Sequence, residues 1–321
     1  MKMNMNNLRI FAIVADKLNI TEASKELFIS QPAVSKAVKN LETSLNVRLF
    51  LRDKHHGLVL TETGKEILAL ARQMLALEDK IVQIADQENN LLRGKVKIGS
   101  FPAASTNLLP DAIALFRSSY PLVRIELAEG TSSQIKEWVD HRTVDVGIVA
   151  SPFDGFDFEA IIQDHMVAVI PKHHPLQREN KIDIEAYRDE IIYCKGGHET
   201  ALSAVLLKNQ IALSDNLTVQ TADTLLQLVA KNLGIGIISN FTLSSVAHDL
   251  LVKDTHPKIT RDIGIISRSF EEASPAVKKF VDIICRLSRD RQKKSFSSSF
   301  LGATITENGL KNEEGEHGSV T

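Results

Sequence analysis

One short segment carries side chains suited to contact with nucleic acid. Its polar positions are Gln31, Ser35, Lys36, Lys39 and Asn40. Gln and Ser hydrogen-bond to base edges in the major groove, and Lys pairs with phosphate. The apolar residues between them recur at steps of four and three, which places the polar set on the opposite face of one helix. The pattern alone leaves two interpretations open: a DNA-reading helix, or the solvated face of a three-helix scaffold.

The preceding residues predict the elements that would position this helix. Apolar residues at 8, 11, 12, 15 and 18 predict a first amphipathic helix, and Thr21 is expected to cap a second. Ser30 is expected to cap the third helix, with Pro32 in its first turn and Asn46 at its left-handed end. Residues 1–62 contain nine Lys and Arg against six Asp and Glu, a net charge of +3. A short helix, a tight turn and a cationic third helix form a helix-turn-helix layout.

The residue order in this region resembles the winged helix-turn-helix of LysR-type transcriptional regulators. The matching positions are Ala23-Ser24-x-x-Leu27-x-Ile29-Ser30-Gln31-Pro32-Ala33-Val34-Ser35-x-x-Val38-x-x-Leu41-Glu42-x-x-Leu45, Leu49-Phe50-x-Arg52 and Leu60-Thr61-x-x-Gly64. The resemblance implies that the start of the third helix meets DNA, and that Arg52 holds a phosphate beside a wing of residues 53–60. The predicted DNA contacts are Thr21, Ser30, Gln31, Pro32, Ser35, Lys36, Lys39 and Arg52.

A long stretch without proline follows, and its apolar residues alternate at steps of three and four. These residues are Ile67, Leu70, Met74, Leu77, Ile81, Ile84 and Leu91. A 3.5-residue repeat is the seam of a coiled coil, so we predict a dimerisation helix over 63–92. About 28 residues of helix would span about 42 Å. The alternative is an amphipathic helix lying on a globular body.

From residue 93 onward, strand and helix patterns alternate. We predict strands at 96–100, 123–127, 144–149, 166–171, 191–194, 217–220, 234–239 and 261–267. This alternation favours an α/β fold of mostly parallel sheets with helices on both faces. The order of Gly99, Leu108-Leu109-Pro110, Asp145-x-Gly147-Ile148 and Leu233-Gly234-Ile235-Gly236 resembles the effector-binding region of LysR-type regulators. The resemblance implies two Rossmann-like lobes similar to a periplasmic binding protein.

The sequence is accordingly divided into four parts. They are a winged helix-turn-helix domain (1–62), a linker helix (63–92), an effector-binding domain (93–294) and a mostly disordered tail (295–321). Lobe I takes residues 93–165 and 267–294, and lobe II takes 166–266. The chain would cross twice between the lobes, so ligand is expected to lie between them.

Candidate effector contacts follow the carboxyl ends of the predicted strands, where α/β sheets place their ligands. They are Ser100, Phe101, Ala103, Thr131, Ser132, His198, Thr200 and Thr221. Hydroxyls and N–H groups at helix N-termini suit a carboxylate or another small anion. Each Ser or Thr has the alternative role of an ordinary helix cap, and Phe101 is equally suited to core packing.

Other chemistry finds little support in the sequence. The histidines lack metal-ligand spacing, and no acid–base or nucleophile set is present, so we predict neither a metal, a cofactor nor catalysis. The peroxide-sensing branch of the family has a reactive cysteine after a Gly-His pair, whereas Gly197-His198 is followed here by Glu199. Cys194 and Cys285 therefore look like structural thiols. Without a secretion signal or a run of about 18 apolar residues, the protein is expected in the cytoplasm, away from membranes.

The expected function is sequence-specific regulation of transcription. By resemblance, the partners would be double-stranded promoter DNA, a second copy in a dimer or tetramer, RNA polymerase and a small-molecule effector of unknown identity. Two rival classes remain: a solute-binding protein whose N-terminal unit only dimerises, and an enzyme. Steep salt dependence of DNA affinity would favour the regulator.

Overall fold

The computed structural model describes residues 3–53, 57–88, 91–194, 199–212 and 217–307. The N-terminal unit contains α1 (Met5–Lys17), α2 (Ile20–Leu27), α3 (Gln31–Leu45) and a hairpin of β1 (Phe50–Asp53) and β2 (Gly57–Leu60). Its core comes from the apolar stripes of α1 and α3, and the rings of Phe11 and Phe50 meet edge to face at 5.5 Å. This contact fixes the hairpin against α1.

The helix boundaries confirm two of the three predicted caps. The Ser30 side chain accepts a hydrogen bond from the Ala33 amide at 3.4 Å, and Asn46 ends α3 in the left-handed conformation at φ 54°. The prediction for Thr21 is wrong. The Asn19 carboxamide oxygen accepts from the amides of Thr21 and Glu22 at 2.8 and 3.2 Å. Asn19 is therefore the cap, because its side chain reaches both unpaired amides of the first turn.

The linker helix α4 spans Glu62–Glu88, which is shorter than the predicted 63–92 at its C-terminal end. Its first turns pack Leu68 and Ala71 into the core of the N-terminal unit. The remaining seam is exposed, at Leu70, Met74, Leu77, Ile81 and Ile84. Leu91 lies beyond the end of the helix.

Two α/β lobes follow and confirm the predicted fold class. Lobe I has β3 (Gly94–Ser100), α5 (Pro102–Asn107), α6 (Leu109–Ser119), β4 (Val123–Glu129), α7 (Ser132–Asp140) and β5 (Val146–Ala150). A long strand, β6 (Asp157–Ile170), then enters lobe II. Lobe II adds a 3-10 turn (Pro175–Arg178), β7 (Lys181–Asp183), β8 (Ile191–Cys194), α8 (Glu199–Lys208), β9 (Thr218–Val219), α9 (Ala222–Ala230), β10 (Ile235–Ser239), α10 (Asn240–Leu243) and β11 (Leu251–His256). The chain returns through β12 (Thr260–Ser267) and continues into α11 (Pro275–Glu307), the last element among the described residues.

The strand order explains how the lobes are joined. In lobe I it is β4-β3-β5-β12-β6, and in lobe II the second half of β6 lies between β10 and β11. The pairs made by β3, β4 and β5 among themselves are parallel, as are those among β8, β9 and β10. Antiparallel pairs cluster around β6 and β12, because these two strands carry the chain in opposite directions between the lobes.

One predicted boundary is wrong. The return to lobe I occurs at Thr260, which pairs with His165, so lobe II ends near 259 rather than 266. The strand β12 belongs to lobe I since it pairs along its length with the first half of β6. Helix α11 extends to Glu307 and so overlaps the first part of the tail from 295, whose disorder stays a prediction. No proline interrupts the sequence after Pro275, and helix extension adds one hydrogen bond per residue.

A buried ion pair lies where the two crossing strands meet. Asp164 of β6 and Arg261 of β12 are register partners, and the Arg261 Nε donates to the carboxylate at 2.9 Å. The same carboxylate accepts from the Ser239 hydroxyl at 2.6 Å and from the Phe241 amide at 3.0 Å. The two crossing strands are thereby tied to α10 of lobe II.

Candidate nucleic-acid interface and effector cleft

The recognition face predicted on α3 is present as one exposed surface. Val34, Ala37, Val38 and Leu41 are buried against the N-terminal core. All the predicted contacts on this helix and its cap are exposed, namely Ser30, Gln31, Pro32, Ser35, Lys36 and Lys39. This surface presents amide, hydroxyl and ammonium donors from a single helix, which is the geometry of major-groove readout.

A groove of about 580 Å³ separates α3 from the hairpin. Its cationic and hydroxyl lining comes from Ser35, Lys39, Thr43, Arg48 and Arg52. Arg52 lies in β1 opposite Leu58, is exposed and lines the same groove as Lys39, while its contact with a phosphate stays a prediction. Arg48 is an additional cation that sequence reasoning missed. The signal that could have found it is its position between the end of α3 and the strand that carries Arg52.

The hairpin is held against α3 by Glu42. Its carboxylate accepts hydrogen bonds from the Leu49 amide at 2.8 Å and from the Phe50 amide at 3.4 Å. Charge-assisted bonds to a carboxylate are roughly twice as strong as neutral ones. Glu42 thus sets the distance between recognition helix and wing. The pair His55-His56, interpreted from sequence as wing residues near phosphate, lies outside the described residues.

Thr21 is placed less favourably than the other predicted DNA contacts. It is half-buried in the first turn of α2, and its carbonyl accepts the Ser24 hydroxyl at 2.8 Å. Its neighbour Ile20 lines the groove beside α3. Thr21 therefore lies at the edge of the candidate interface and not at its centre.

In lobe I, the residues after β3 are packed more tightly than an open pocket requires. Ser100 is fully buried, and its hydroxyl donates to the Phe101 carbonyl at 3.2 Å. Phe101 and Ala103 belong to the hydrophobic core. The Phe101 ring also meets the ring of Phe241 from lobe II edge to face at 6.2 Å. Phe101 was interpreted as an effector contact or as a core residue. The structure shows it as a core residue at the junction of the lobes.

The two hydroxyl residues at the start of α7 are already hydrogen-bonded within lobe I, and Thr131 acts as the cap. Thr131 forms a capping box with Gln134. The Gln134 backbone amide donates to the Thr131 hydroxyl at 3.3 Å, and the Thr131 backbone amide donates to the Gln134 side-chain oxygen at 2.9 Å. The Ser132 hydroxyl accepts the Ala150 amide at 3.1 Å and so joins α7 to the end of β5. The Gly130 amide donates to the Ser100 carbonyl at 3.1 Å. Ser100, Thr131 and Ser132 thus share one edge of lobe I.

The predicted contacts of lobe II are less completely placed. Thr221 is exposed and caps α9, accepting the Thr224 amide at 3.3 Å. Thr200 lies in the first turn of α8. His198 lies outside the described residues.

A contact between the lobes was missed by sequence reasoning. The Asn107 side-chain amide of lobe I donates to the Phe241 carbonyl of lobe II at 2.7 Å. Phe241 lies in the four-residue helix α10, which is too short for a periodicity to reveal. The residue therefore touches lobe I through its ring and its carbonyl, while its amide bonds to Asp164.

Three other features bear on metal binding, membrane insertion and cysteine reactivity. Among the described residues there is no group of three or more His, Cys, Asp or Glu side chains arranged to hold a metal ion. Nor does any described helix combine the length and apolar character needed to cross a bilayer. Burial raises the pKa of the Cys285 thiol, which disfavours its thiolate form, and Cys194 is buried in β8.

Comparison with known proteins decides the family. Residues 5–65 match the model of the bacterial regulatory helix-turn-helix proteins of the lysR family, and residues 89–287 match the LysR substrate binding domain. The chain belongs to the LysR family of bacterial transcriptional regulators. This LysR protein is thus a DNA-binding transcriptional regulator with an effector-binding domain.

Relatives and solved structures agree with this assignment. The uncharacterized HTH-type transcriptional regulator YoaU of Bacillus subtilis is 62% identical over 285 residues, covering 88% of this chain and 98% of that protein. The transcriptional dual regulator GltC of the same organism is 27% identical over 88% of this chain and 96% of its own length. Full-length OxyR from Pseudomonas aeruginosa matches with a TM-score of 0.70 at 24% identity, covering 88% and 95% of the two chains. Full-length CbnR in complex with its target DNA matches at 0.58 and 20% identity, covering 89% and 100%. These two likenesses show the fold of the LysR regulator.

Proposed function

We propose that this LysR regulator binds a two-fold related promoter site as a dimer, and that a small anionic effector between the lobes alters this binding. The observation that carries the DNA contacts is the exposed face of α3 with Gln31, Ser35 and Lys36. Arg48 and Arg52 flank this face and suit the phosphates on either side of the DNA major groove. The hydroxyl and the amide would read base edges, and the cations would fix the register.

Support for self-association comes from α4. Leu70 is 60% exposed, Leu77 49% and Ile81 68%, although all three lie in the middle of one long helix. The opposite face of α4 already contacts lobe I through Gln83, so the apolar seam is not the face that lies on the globular body. A second copy of the helix would bury the seam and deliver two recognition helices to one duplex. We propose further pairing into a tetramer.

The remaining parts of the proposal rest on the family. The regulator would act in the cytoplasm, where its promoter DNA and RNA polymerase are found, without a metal, a prosthetic group or catalytic activity. The effector would bias lobe closure, and such coupling is typically worth about 1–3 kcal/mol. The helix N-terminus at Thr131 suits an anion, although the Thr131 side chain is already engaged as a cap.

The test measures DNA affinity by fluorescence anisotropy, using a duplex selected from a random library by the full-length protein. We expect Ser35→Ala and Lys36→Ala to weaken binding, whereas Lys231→Ala on the exposed surface of lobe II should leave it unchanged. Lys36→Ala should also reduce the slope of log affinity against log salt by about 0.9 for each phosphate that Lys36 neutralises, or about 1.8 per dimer. Equal affinity for the Lys36 and Lys231 variants would refute the proposed interface.

A further inference from the structure

We infer that Arg72 couples the DNA-binding unit to the effector-binding domain through α7, an inference that rests on the proposed function. Arg72 lies in α4, whose seam and first turns have other roles, and it belongs to neither candidate site. Its side chain is only 15% exposed, although it carries a full charge. A guanidinium held in this way usually has a positional task, because its planar fork fixes the groups on both sides.

The two ends of the Arg72 fork contact different domains. One terminal nitrogen pairs with the carboxylate of Asp16, near the end of α1 in the DNA-binding unit. The other donates to the carbonyl of His141 in lobe I at 2.9 Å. His141 is the residue that ends α7, so the cation also lies at the negative end of that helix. A displacement of α7 along its axis would therefore pull on α1 through a single rigid group.

Helix α7 connects this contact to the candidate effector cleft. It begins at Ser132, directly after its cap Thr131. The capping box and the bond from the Ala150 amide fix this end of the helix to the edge of the sheet. Its nine residues span about 13 Å. An α-helix of this length moves as a unit, because every turn is hydrogen-bonded to the next. Effector bound at Thr131 would consequently shift the His141 carbonyl at the far end.

Neighbouring contacts separate this path from general packing. Lys80 and Gln83 of α4 also bond to lobe I, at the Glu272 carbonyl (2.8 Å) and the Ala276 amide (3.0 Å), but on the side of α11. Arg9 of α1 pairs with Glu78 of α4 at 2.9 Å and does not involve lobe I. Arg9 therefore offers a matched control: an ion pair between α1 and α4 that lacks the lobe contact.

The test does not require the effector, because coupling between two binding sites is reciprocal. If effector at α7 changes DNA affinity, bound DNA must change effector affinity by the same factor, and we expect that change to act through α7. We would measure amide hydrogen exchange of the full-length protein with and without a duplex selected from a random library. Binding of the duplex should change exchange in the last turn of α7 by about fivefold or more in the wild type and in Arg9→Gln.

The variants Arg72→Gln and Asp16→Ala should bind the duplex but lose this response. A cap that only stabilised α7 would change the baseline exchange and leave the DNA-induced change intact. Thermal unfolding of both variants would establish that the lobes remain folded. The inference is overturned if wild-type α7 does not respond to bound DNA, or if the response survives in either variant. Failure of the wild type to select any duplex is a different result, which refutes the proposed function and this inference with it.

Discussion

The buried ion pair between β6 and β12 gives the sharpest prediction about stability. Asp164 and Arg261 have side chains that are 1% and 3% exposed. Asp164→Asn keeps the shape of the side chain but removes the negative charge that faces the buried Arg261 Nε. Removing one partner of such a pair typically costs about 3–5 kcal/mol. We expect a loss of this size, since the carboxylate also accepts the Ser239 hydroxyl and the Phe241 amide.

Urea unfolding of the full-length protein would measure the loss, with thermal unfolding as a second observable. At about 2–4 °C per kcal/mol for a domain of this size, the melting temperature of the lobes should fall by about 10 °C. The matched control is Arg268→Gln, which removes the ion pair between Arg268 and Asp140, a pair of similar length. Those two side chains are 45% and 49% exposed, so the control should cost less than about 1 kcal/mol.

A double-mutant cycle separates the charge effect from packing. Because Asp164→Leu combined with Arg261→Met leaves no isolated charge, it should be less destabilising than the sum of the two single replacements. The reasoning is refuted if Asp164→Asn behaves like the Arg268 control, or if the two single losses are additive.

Three further predictions concern other parts of the chain. Leu77→Asp should abolish pairing through α4, so that the tetramer falls to a dimer in sedimentation velocity without lowering the melting temperature of the lobes, and a persistent tetramer would contradict the seam. Glu42→Gln should destabilise the N-terminal unit by about 1.5 kcal/mol in urea unfolding, because it weakens the charge-assisted bond from the Leu49 amide; an unchanged midpoint would show that the wing is held by other contacts. Burial raises the pKa of Asp145 more than the bond from the Lys97 amide lowers it. The folded chain therefore binds this proton more readily than the unfolded chain, so its contribution to stability grows as pH falls through the folded pKa and is lost as pH rises. Asp145→Asn should remove this trend, which is at most about 1.4 kcal/mol per pH unit, and equal pH slopes in urea unfolding would refute the assignment.

The N-terminal unit could be predicted in detail because its signals are local. Helix periodicity fixed the buried face of α3, and Ser30 and Asn46 marked its ends through short-range bonds. Thr21 was misassigned since Asn19 and Thr21 are both good caps two residues apart. Only the bonds to the first-turn amides distinguish them.

The lobes were predictable as a class but not at their boundaries. Strand β6 has a continuous apolar sequence only in its second half. Several side chains of its first half, which lies beside β12, are exposed, so that half lacks the apolar pattern that predicts a strand. The return crossing at Thr260 depends on pairing with His165, far away in sequence. Pairings of this kind leave no periodic trace in the sequence.

The effector contacts were the least predictable part of the site. Thr131 satisfies the same sequence pattern whether it caps a helix or binds a ligand, and the structure shows it as a cap. A Thr131→Val replacement would therefore remove about 1 kcal/mol of helix capping whatever its effect on effector. Thr131→Ser keeps the accepting oxygen, so comparison of the two variants isolates the hydroxyl from the methyl group.

The linker helix shows why a hydrophobic pattern reports only part of what a helix does. The heptad repeat of α4 identifies its apolar seam, but the side chain that fixes α4 to lobe I is polar. Gln83 is buried, accepts the Ala276 amide at the start of α11, and lies against Gly94 at φ 112°. A Cβ at Gly94 would come within 2.8 Å of the Gln83 side-chain nitrogen, and the positive φ would strain any residue with a side chain, so the position favours glycine. One face of α4 is therefore left to self-association, and the other orients the effector domain.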